Sequence, residues 1–287
     1  MKKLLLVFLS IAMCLTAEAQ TKRLSGIVSN SNDPEDPDTL IAKATFDSQG
    51  RMATIAFSEN KTKTGMTIDY GNKTIAESGY YTNTWTYTTN SKGYITSMTN
   101  EHNDSYLITY TDDEYVNRII YTSTSEVDTC SYTWKDGNIT RVSGTGSDVY
   151  TMDLTYNDVE NKANISLTPA PGDLAYPNYA LLFSAKMFGI NPQNLPITSH
   201  AIYQNDGENN TEDATATYSY DSDGFPTFAS SSIGSLLTFT YTDVTSGIKN
   251  VTNNPVDDNY YNIMGQRINK SSKGLMIHNG KKFYTKE

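Results

Sequence analysis

The chain holds three histidines, His102, His200 and His278. No two stand at a metal-ligand spacing, and no His-Glu-x-x-His motif is present. A Gly-x-Ser-x-Gly elbow for acyl transfer and a glycine-rich phosphate loop are also missing. Each histidine therefore reads as an exposed loop or strand residue. The stretch "YDSDGFP" (Tyr220–Pro226) comes nearest to a calcium loop. Asp221 and Asp223 match the first two ligand positions, but Phe225 stands at the third and Gly224 comes too early, so the stretch reads as a turn. "NDPEDPDTL" (Asn32–Leu40) offers oxygen donors for a loose calcium site and reads more simply as a solvated linker. The expectation is no catalytic residue, no cofactor and no metal. Two chemistries escape a test by spacing. Paired carboxylates for glycoside hydrolysis meet in space, not in sequence. The 21 tyrosines could make a sugar-stacking or apolar-ligand surface, although tyrosine is also a good strand former.

The first residues, "MKKLLLVFLSIAMCLTAEAQ", carry Lys2 and Lys3, then an apolar run too short to span a bilayer, then small residues at Ala17 and Ala19. This pattern predicts a secretory signal peptide, residues 1–19, cut between Ala19 and Gln20. "IAMC" resembles a lipidation site at Cys14, but Met13 stands where a small residue is wanted, and soluble export is the preferred reading. Removal of the signal leaves Cys130 as a lone cysteine, read as a small buried hydrophobe, with no internal disulfide. The full chain has a net charge of −10 and a pI near 4.8. That balance argues against nucleic acid as a partner. No other stretch is long and apolar enough for a membrane helix, and the expectation is a protein that is not integral to a membrane.

Stepping along the chain, the elements are periodic. "FDSQGRMATI", "YTTNSKGYITSM", "YTDDEYVNRII", "WKDGNITRV", "YNDVENKANI" and "YDSDGFPTF" each run from an aromatic residue through a polar turn into a short apolar alternation. The leading aromatics are Phe46, Tyr87, Tyr110, Trp134, Tyr156 and Tyr220, with Tyr70 as a weaker member, so the period is about 22 residues. Within a unit the pattern has period two: Trp85 and Tyr87 share one face, and Thr84, Thr86 and Thr88 share the other. Asp136-Gly137 is a two-residue turn signal. The fold class is all-β, an antiparallel meander of Tyr-rich hairpins that closes as a barrel, remains a half-barrel, or splits into a sandwich. One segment breaks the rhythm. Tyr179, Leu182, Phe183 and Met187 fall on one helical face, which predicts a short helix near 178–188 starting at Pro177 or Asn178 and stopping at Gly189. Such a helix covers an open end or edge of the sheet, or, in the sharper role, it plugs the barrel or walls a ligand pocket.

The Tyr-x-Tyr-Asp-x-Asp-Gly hairpins, the apolar helix, "NPQNLP" and the further hairpins resemble a family of uncharacterised secreted bacterial proteins with a porin-like β fold. The resemblance spans most of residues 40–243 and implies antiparallel β structure with no known activity. The hairpins are also similar, more distantly, to Tyr-Asp repeats of toxin-delivery shells. The domain expectation is a linker at 20–39, a β-meander at 40–246, a second linker at 247–259 and a small β segment at 260–287. That last segment resembles a type IX secretion sorting signal in Tyr261, Asn262, Gly265, Arg267, Ile268, Gly274, Leu275, Ile277, Gly280, Lys281 and Lys286. The resemblance implies the type IX machinery as a partner, and a location at or beyond the outer membrane, or in the periplasm if the short signal is inactive. The functional expectation is an exported, non-enzymatic binding module for a glycan, a lipophilic molecule or an envelope protein. The alternative is a secreted glycan hydrolase with dispersed carboxylates.

Overall fold

The computed structural model describes residues 22–31, 39–59, 62–79, 82–147, 149–167, 169–175, 177–205, 208–244, 260–262, 267–268, 274–278 and 281–285. They divide into two compact units, the first ending at Val244. The first unit holds β1 (Lys22–Ser31), β2 (Thr39–Phe46), β3 (Met52–Glu59), β4 (Thr62–Asp69), β5 (Thr74–Gly79), β6 (Thr84–Thr89), β7 (Ile95–Thr99) and β8 (Ser105–Tyr110). It continues through β9 (Val116–Thr122), β10 (Val127–Lys135), β11 (Asn138–Thr145), β12 (Tyr150–Glu160), helix α1 (Pro177–Ser184), β13 (Asn194–Asn205), β14 (Glu208–Tyr220), β15 (Pro226–Ser231) and β16 (Ser235–Asp243). Every strand pairs antiparallel with its sequence neighbours and β1 pairs with β16, so the sixteen strands close a barrel. Of the three outcomes open to the meander, closure is the one realised. The expected linker at 20–39 is corrected by β1: from Lys22 to Ser31 that segment is a strand, hydrogen-bonded on both sides.

Period-two sequence decides which face turns inward. Trp85 and Tyr87 of β6, Tyr106 and Ile108 of β8, and Cys130 and Tyr132 of β10 are buried in one cluster that also contains α1 residues. The opposite face carries cross-strand pairs on directly opposed residues: Thr45 with Thr54, Thr155 with Thr198, Arg141 with Asp153, and His200 with Asp213. Such pairs are what an aqueous sheet surface selects.

The recurrent Asp/Asn-x-x-Gly turns lie at one end of the barrel, and their chemistry explains the motif. Asp47 accepts the amides of Gln49 and Arg51, Asn90 those of Lys92 and Tyr94, and Asp221 those of Asp223 and Phe225. The side chain replaces ladder partners that a tight turn removes. The fourth residue is left-handed in each, at φ 76° for Gly50, 89° for Gly93 and 82° for Gly224, which glycine adopts without cost. Aromatics flanking these turns then tie neighbouring strands together. Tyr70, Tyr110, Tyr218 and Tyr241 hydroxyls and the Trp134 indole donate to the backbone carbonyls of Met52, Ile95, Pro196, Pro226 and Val116. Each of these accepting residues opens, or lies near the start of, the strand before the aromatic's own.

A sixteen-stranded ring is wide enough for a water-filled lumen. Here the described residues of the segment 161–193 occupy it. The segment leaves the turn end at Asn161 and reaches inward, where the Tyr132 hydroxyl donates to the Pro169 carbonyl at 2.8 Å. At Gly172 it lies against Tyr106 and Tyr121, near the opposite end. Helix α1 leads back. Tyr179 donates to Glu77 at 2.7 Å, Met187 accepts from the Ile95 amide, and Ile190 bridges Tyr115. Contacts to β1–β3 on one side and β8–β10 on the other make this a plug, the sharper of the two roles the sequence offered.

The second unit is a four-stranded sheet with order β18-β17-β19-β20, formed by β17 (Tyr260–Asn262), β18 (Arg267–Ile268), β19 (Gly274–His278) and β20 (Lys281–Thr285).

At the barrel seam the Lys22 ammonium sits 2.8 Å from Asp221 and 2.5 Å from Asp223. The Lys22 hydrogen bond, followed by the Phe225 amide, holds the Asp221 carboxyl below its usual range. A lowered folded-state pKa stabilises above the unfolded value of about 3.9 and ceases to do so as pH falls through the folded value. Asp221→Asn should therefore unfold at lower urea than wild type at neutral pH, and the gap should close as pH drops below about 4. Urea midpoints at stepped pH check this; a gap that persists undiminished at low pH would refute it.

Candidate functional site

The turn end carries a pocket of about 480 Å³ between the plug and the ends of β1–β6. Its floor is apolar and comes from buried Leu24, Met52, Tyr87 and Met187, with Phe46 beside them. Its polar wall is cationic: Arg23 from β1, Arg51 from the β2–β3 turn, Lys73 before β5, and Lys186 from the plug. Among the described residues no Asp or Glu lines it. That is a local reversal of sign on a chain of net charge −10.

Each cation is placed by a specific local device. The Arg23 guanidinium lies 5.5 Å from the Phe46 ring centroid and donates to the Gly50 carbonyl. Arg51 stacks at 4.1 Å over Tyr70 and pairs with Asp47 at 2.9 Å. Burial pushes the Tyr70 phenol up to about 12, against the opposing pull of the Arg51 charge, so it stays a neutral donor to Met52. Lys73 donates to Thr89 at 3.2 Å. Lys186 sits one turn past α1, where its amide bonds Phe183 and the Met187 amide reaches back to Leu182. That pattern is a Schellman cap with lysine at the left-handed position, φ 59°, where glycine is usual. The helix accordingly ends at Ser184, before the 188 expected from its apolar stripe. The α1 carbonyls near this end are occupied: Ser184 by Asn164, and Phe183 by Asn191 and Lys186.

The barrel fold has a counterpart among known proteins. A family model described as a domain of unknown function (DUF4595) with porin-like fold matches residues 44–228. The chain belongs to this family. A crystal structure of a porin-like protein from Bacteroides uniformis has 18% sequence identity, covers 76% of this chain and 98% of its own, and superposes with a TM-score of 0.58. At that identity the likeness concerns the fold. A search of curated proteins returned no match.

The porin-like domain has two further clefts. One, on the other side of the plug exit, is polar and includes Asp158, Glu160, Lys162, Gln193 and Asp223. The other is apolar, between Leu167, Pro169 and the inner faces of β12–β16, where Ala214, Ala216 and Ala229 are small. The carboxyls that are displaced, Asp47, Asp69, Glu101, Glu114, Asp153 and Asp221, all move downward, toward the ionised form. A general acid is displaced the other way.

The residues singled out from sequence fall elsewhere. Ala17, Ala19 and Gln20 lie outside the described residues, as do Gly265, Gly280, Lys286 and the acidic run 32–38. Tyr261, Arg267, Gly274 and Lys281 lie on the second unit's sheet, where Tyr261 is the register partner of Arg267 and of Ile277. Among the described residues no group of three His, Cys, Asp or Glu could hold a metal. Cys130 is buried, 3.0 Å from the Tyr150 hydroxyl. His200 is an exposed strand residue beside Asp213. "YDSDGFP" is a turn.

Sequence reasoning missed the asparagines that hold the plug. Buried Asn161 donates to the carbonyls of Ile165 and Pro192 and accepts the Ile165 amide, at 2.8, 2.9 and 3.0 Å. Asn191 donates to Asn164 and Phe183. Asn138 and Asn194 bond each other. The signal was present in "NPQNLP" and "ENKANI", as asparagines flanking an apolar segment. Removing Asn161 strands several buried groups, so Asn161→Ala should cost about 3 kcal/mol. It should also speed tryptic cleavage at Lys162 and Lys186. Urea melts and timed proteolysis check it; wild-type values in both would show that the plug is held by apolar packing alone.

Proposed function

We propose that the chain is an exported, non-enzymatic binding module of the cell envelope or surface, with its ligand seated at the turn end of the plugged barrel. The observation that carries this reading is the pocket with an apolar floor and a wall of four cations. It has a volume typical of small-molecule sites, and few polar groups converge on it. The plug supports the reading by making the barrel a rigid scaffold rather than a conduit. The outward face supports it too. A membrane barrel presents an apolar band to lipid along strands of about 9–11 residues. Here the outward positions carry Thr, Ser, Arg, Asp and His pairs, and β5, β6, β7, β8 and β15 have five or six residues each. In this proposal the barrel lies in water and, with residues 1–19 read as a signal peptide, outside the inner membrane. No helix among the described residues is long and apolar enough to cross a membrane.

The chemistry of the pocket leaves glycans, lipophilic molecules and an envelope protein as the classes to screen. A thermal-shift panel spanning all three should give a saturable rise in melting temperature with at least one class. A flat response across the panel would overturn the binding reading.

The second unit serves, in this proposal, as a type IX sorting signal. Tyr261, Gly265, Arg267, Gly274, Gly280, Lys281 and Lys286 supply the pattern. Deleting residues 247–287 should shift the protein from the surface or medium to the periplasm, as read by fractionation. Unchanged localisation would remove the sorting role and leave the barrel reading untouched.

A further inference from the structure

We propose that the pocket at the turn end takes an amphipathic organic anion: a compact carboxylate, sulfonate or sulfate head joined to an apolar body. This rests on the binding reading above and names its ligand class. The floor and the wall make different demands. Leu24, Met52 and Met187 are buried and offer no hydrogen bond, so a fully hydrated ligand such as a free inorganic anion gains nothing from reaching them. The wall repels cations and gives a neutral apolar molecule no partner for Arg23, Lys73 and Lys186. A molecule with one end of each kind satisfies both.

The backbone adds an independent observation. Lys73 and Lys186 both hold left-handed conformations, at φ 55° and 59°, where a lysine is strained and glycine or asparagine is not; Glu114 and Asp136, at turns outside the pocket, are the other such residues besides asparagines among those described. Strained non-glycine residues concentrate where a side chain is needed in place. Two of the four cations of one pocket occupy such positions, and the Lys186 position is a helix cap that glycine would fill better. The negative groups nearby are already engaged. Asp47 is paired with Arg51, Asp69 accepts the Gly71 and Asn72 amides, and the carbonyl of Ser184 is bonded to Asn164. Arg51 is thus partly neutralised, and Arg23, Lys73 and Lys186 carry the available charge.

The test uses two dyes with the same apolar body. 8-Anilinonaphthalene-1-sulfonate carries a sulfonate, and N-phenyl-1-naphthylamine does not. Both are titrated by fluorescence into the native protein at low salt and at 0.15 M, where screening weakens charge recognition. The anionic dye should bind with one-to-one stoichiometry at least tenfold more tightly than the neutral one. Salt should narrow that ratio. Lys73→Gln/Lys186→Gln should lower the anionic dye's affinity about tenfold and leave the neutral dye's affinity and the urea midpoint unchanged. Displacement by octanoate against 1-octanesulfonate then separates a carboxylate head from a sulfonate one. Equal affinities for the two dyes, or an anionic-dye affinity unmoved by the double substitution, would overturn the proposal. Binding of the neutral dye or of a neutral glycan alone would overturn it while sparing the binding reading. Silence from both dyes and from the whole thermal-shift panel would defeat both.

Discussion

The pairing of β1 with β16 is the contact on which the molecule depends. Lys22–Ser31 meets Ser235–Asp243 across more than two hundred intervening residues, and without it the sheet would end in two open edges. An open edge presents unpaired amides and carbonyls to any other strand. The closure is tight where it matters. Gly26 sits beside a register shift, and a Cβ there would meet Thr240 Oγ1 and the Ala42 carbonyl oxygen. A larger residue would push β1 away from both neighbours at once. The Lys22 ammonium between Asp221 and Asp223 fixes the seam at the turn end. Closure also turns the alternation of every strand into an inside and an outside, which makes a lumen, and a lumen has to be filled.

Filling it sets up the site. A ring of sixteen strands is too wide for its own side chains to meet at the centre. The plug supplies the missing apolar surface through Tyr179, Leu181, Leu182, Phe183 and Phe188, all buried. It enters and leaves through the same end, so its two arms must be bound to each other and to the turns around them. Asn161, Asn191 and Asn194 do this with side-chain amides, which can donate and accept in one place without bringing charge into the interior. The Asn161 amide donating to Gln193 at 2.6 Å closes the loop at its base. The arm that emerges presents residues 184–187 to the strand ends, and the pocket is the space left between them.

How much of this the sequence discloses follows from the range of each interaction. Local pairings are legible. The Asp/Asn-x-x-Gly turns, the period-two strands with Trp85 and Tyr87 on one face, and the apolar stripe through Tyr179 and Phe183 each show themselves within a dozen residues. Their positions in the structure agree with the all-β, hairpin-repeat reading. Non-local pairings are hidden. "KRLSGIVSNS" looks like the start of an acidic linker because its partner strand lies near residue 240 and because Gly26 and the flanking prolines mimic a loop. Barrel, half-barrel and sandwich share the same local alternation, and only the seam distinguishes them. The pocket is less legible still. Arg23, Arg51, Lys73 and Lys186 stand in four separate segments, each an ordinary basic residue next to a turn. They converge only because the turns share an end and the plug returns to it.

The C-terminal segment, with Arg267, Lys270, Lys273, Lys281, Lys282 and Lys286 against Glu287, and the basic pocket are two ways an acidic chain carries positive charge. The tail's lysines lie close together in sequence, within the second unit. The pocket's cations are dispersed, and each is held by the fold: Arg23 over Phe46, Arg51 over Tyr70, Lys73 against Thr89, Lys186 at a helix cap. Holding like charges together costs free energy that the apolar core and the turn hydrogen bonds must offset. Strained backbone at two of the four positions adds to that cost. Stability alone would relieve it by placing glycine or asparagine there, as the turns at Gly50, Gly93 and Gly224 do. Both lysines depart from that glycine rule beside an apolar floor, whereas Glu114 and Asp136 depart from it at turns away from the pocket.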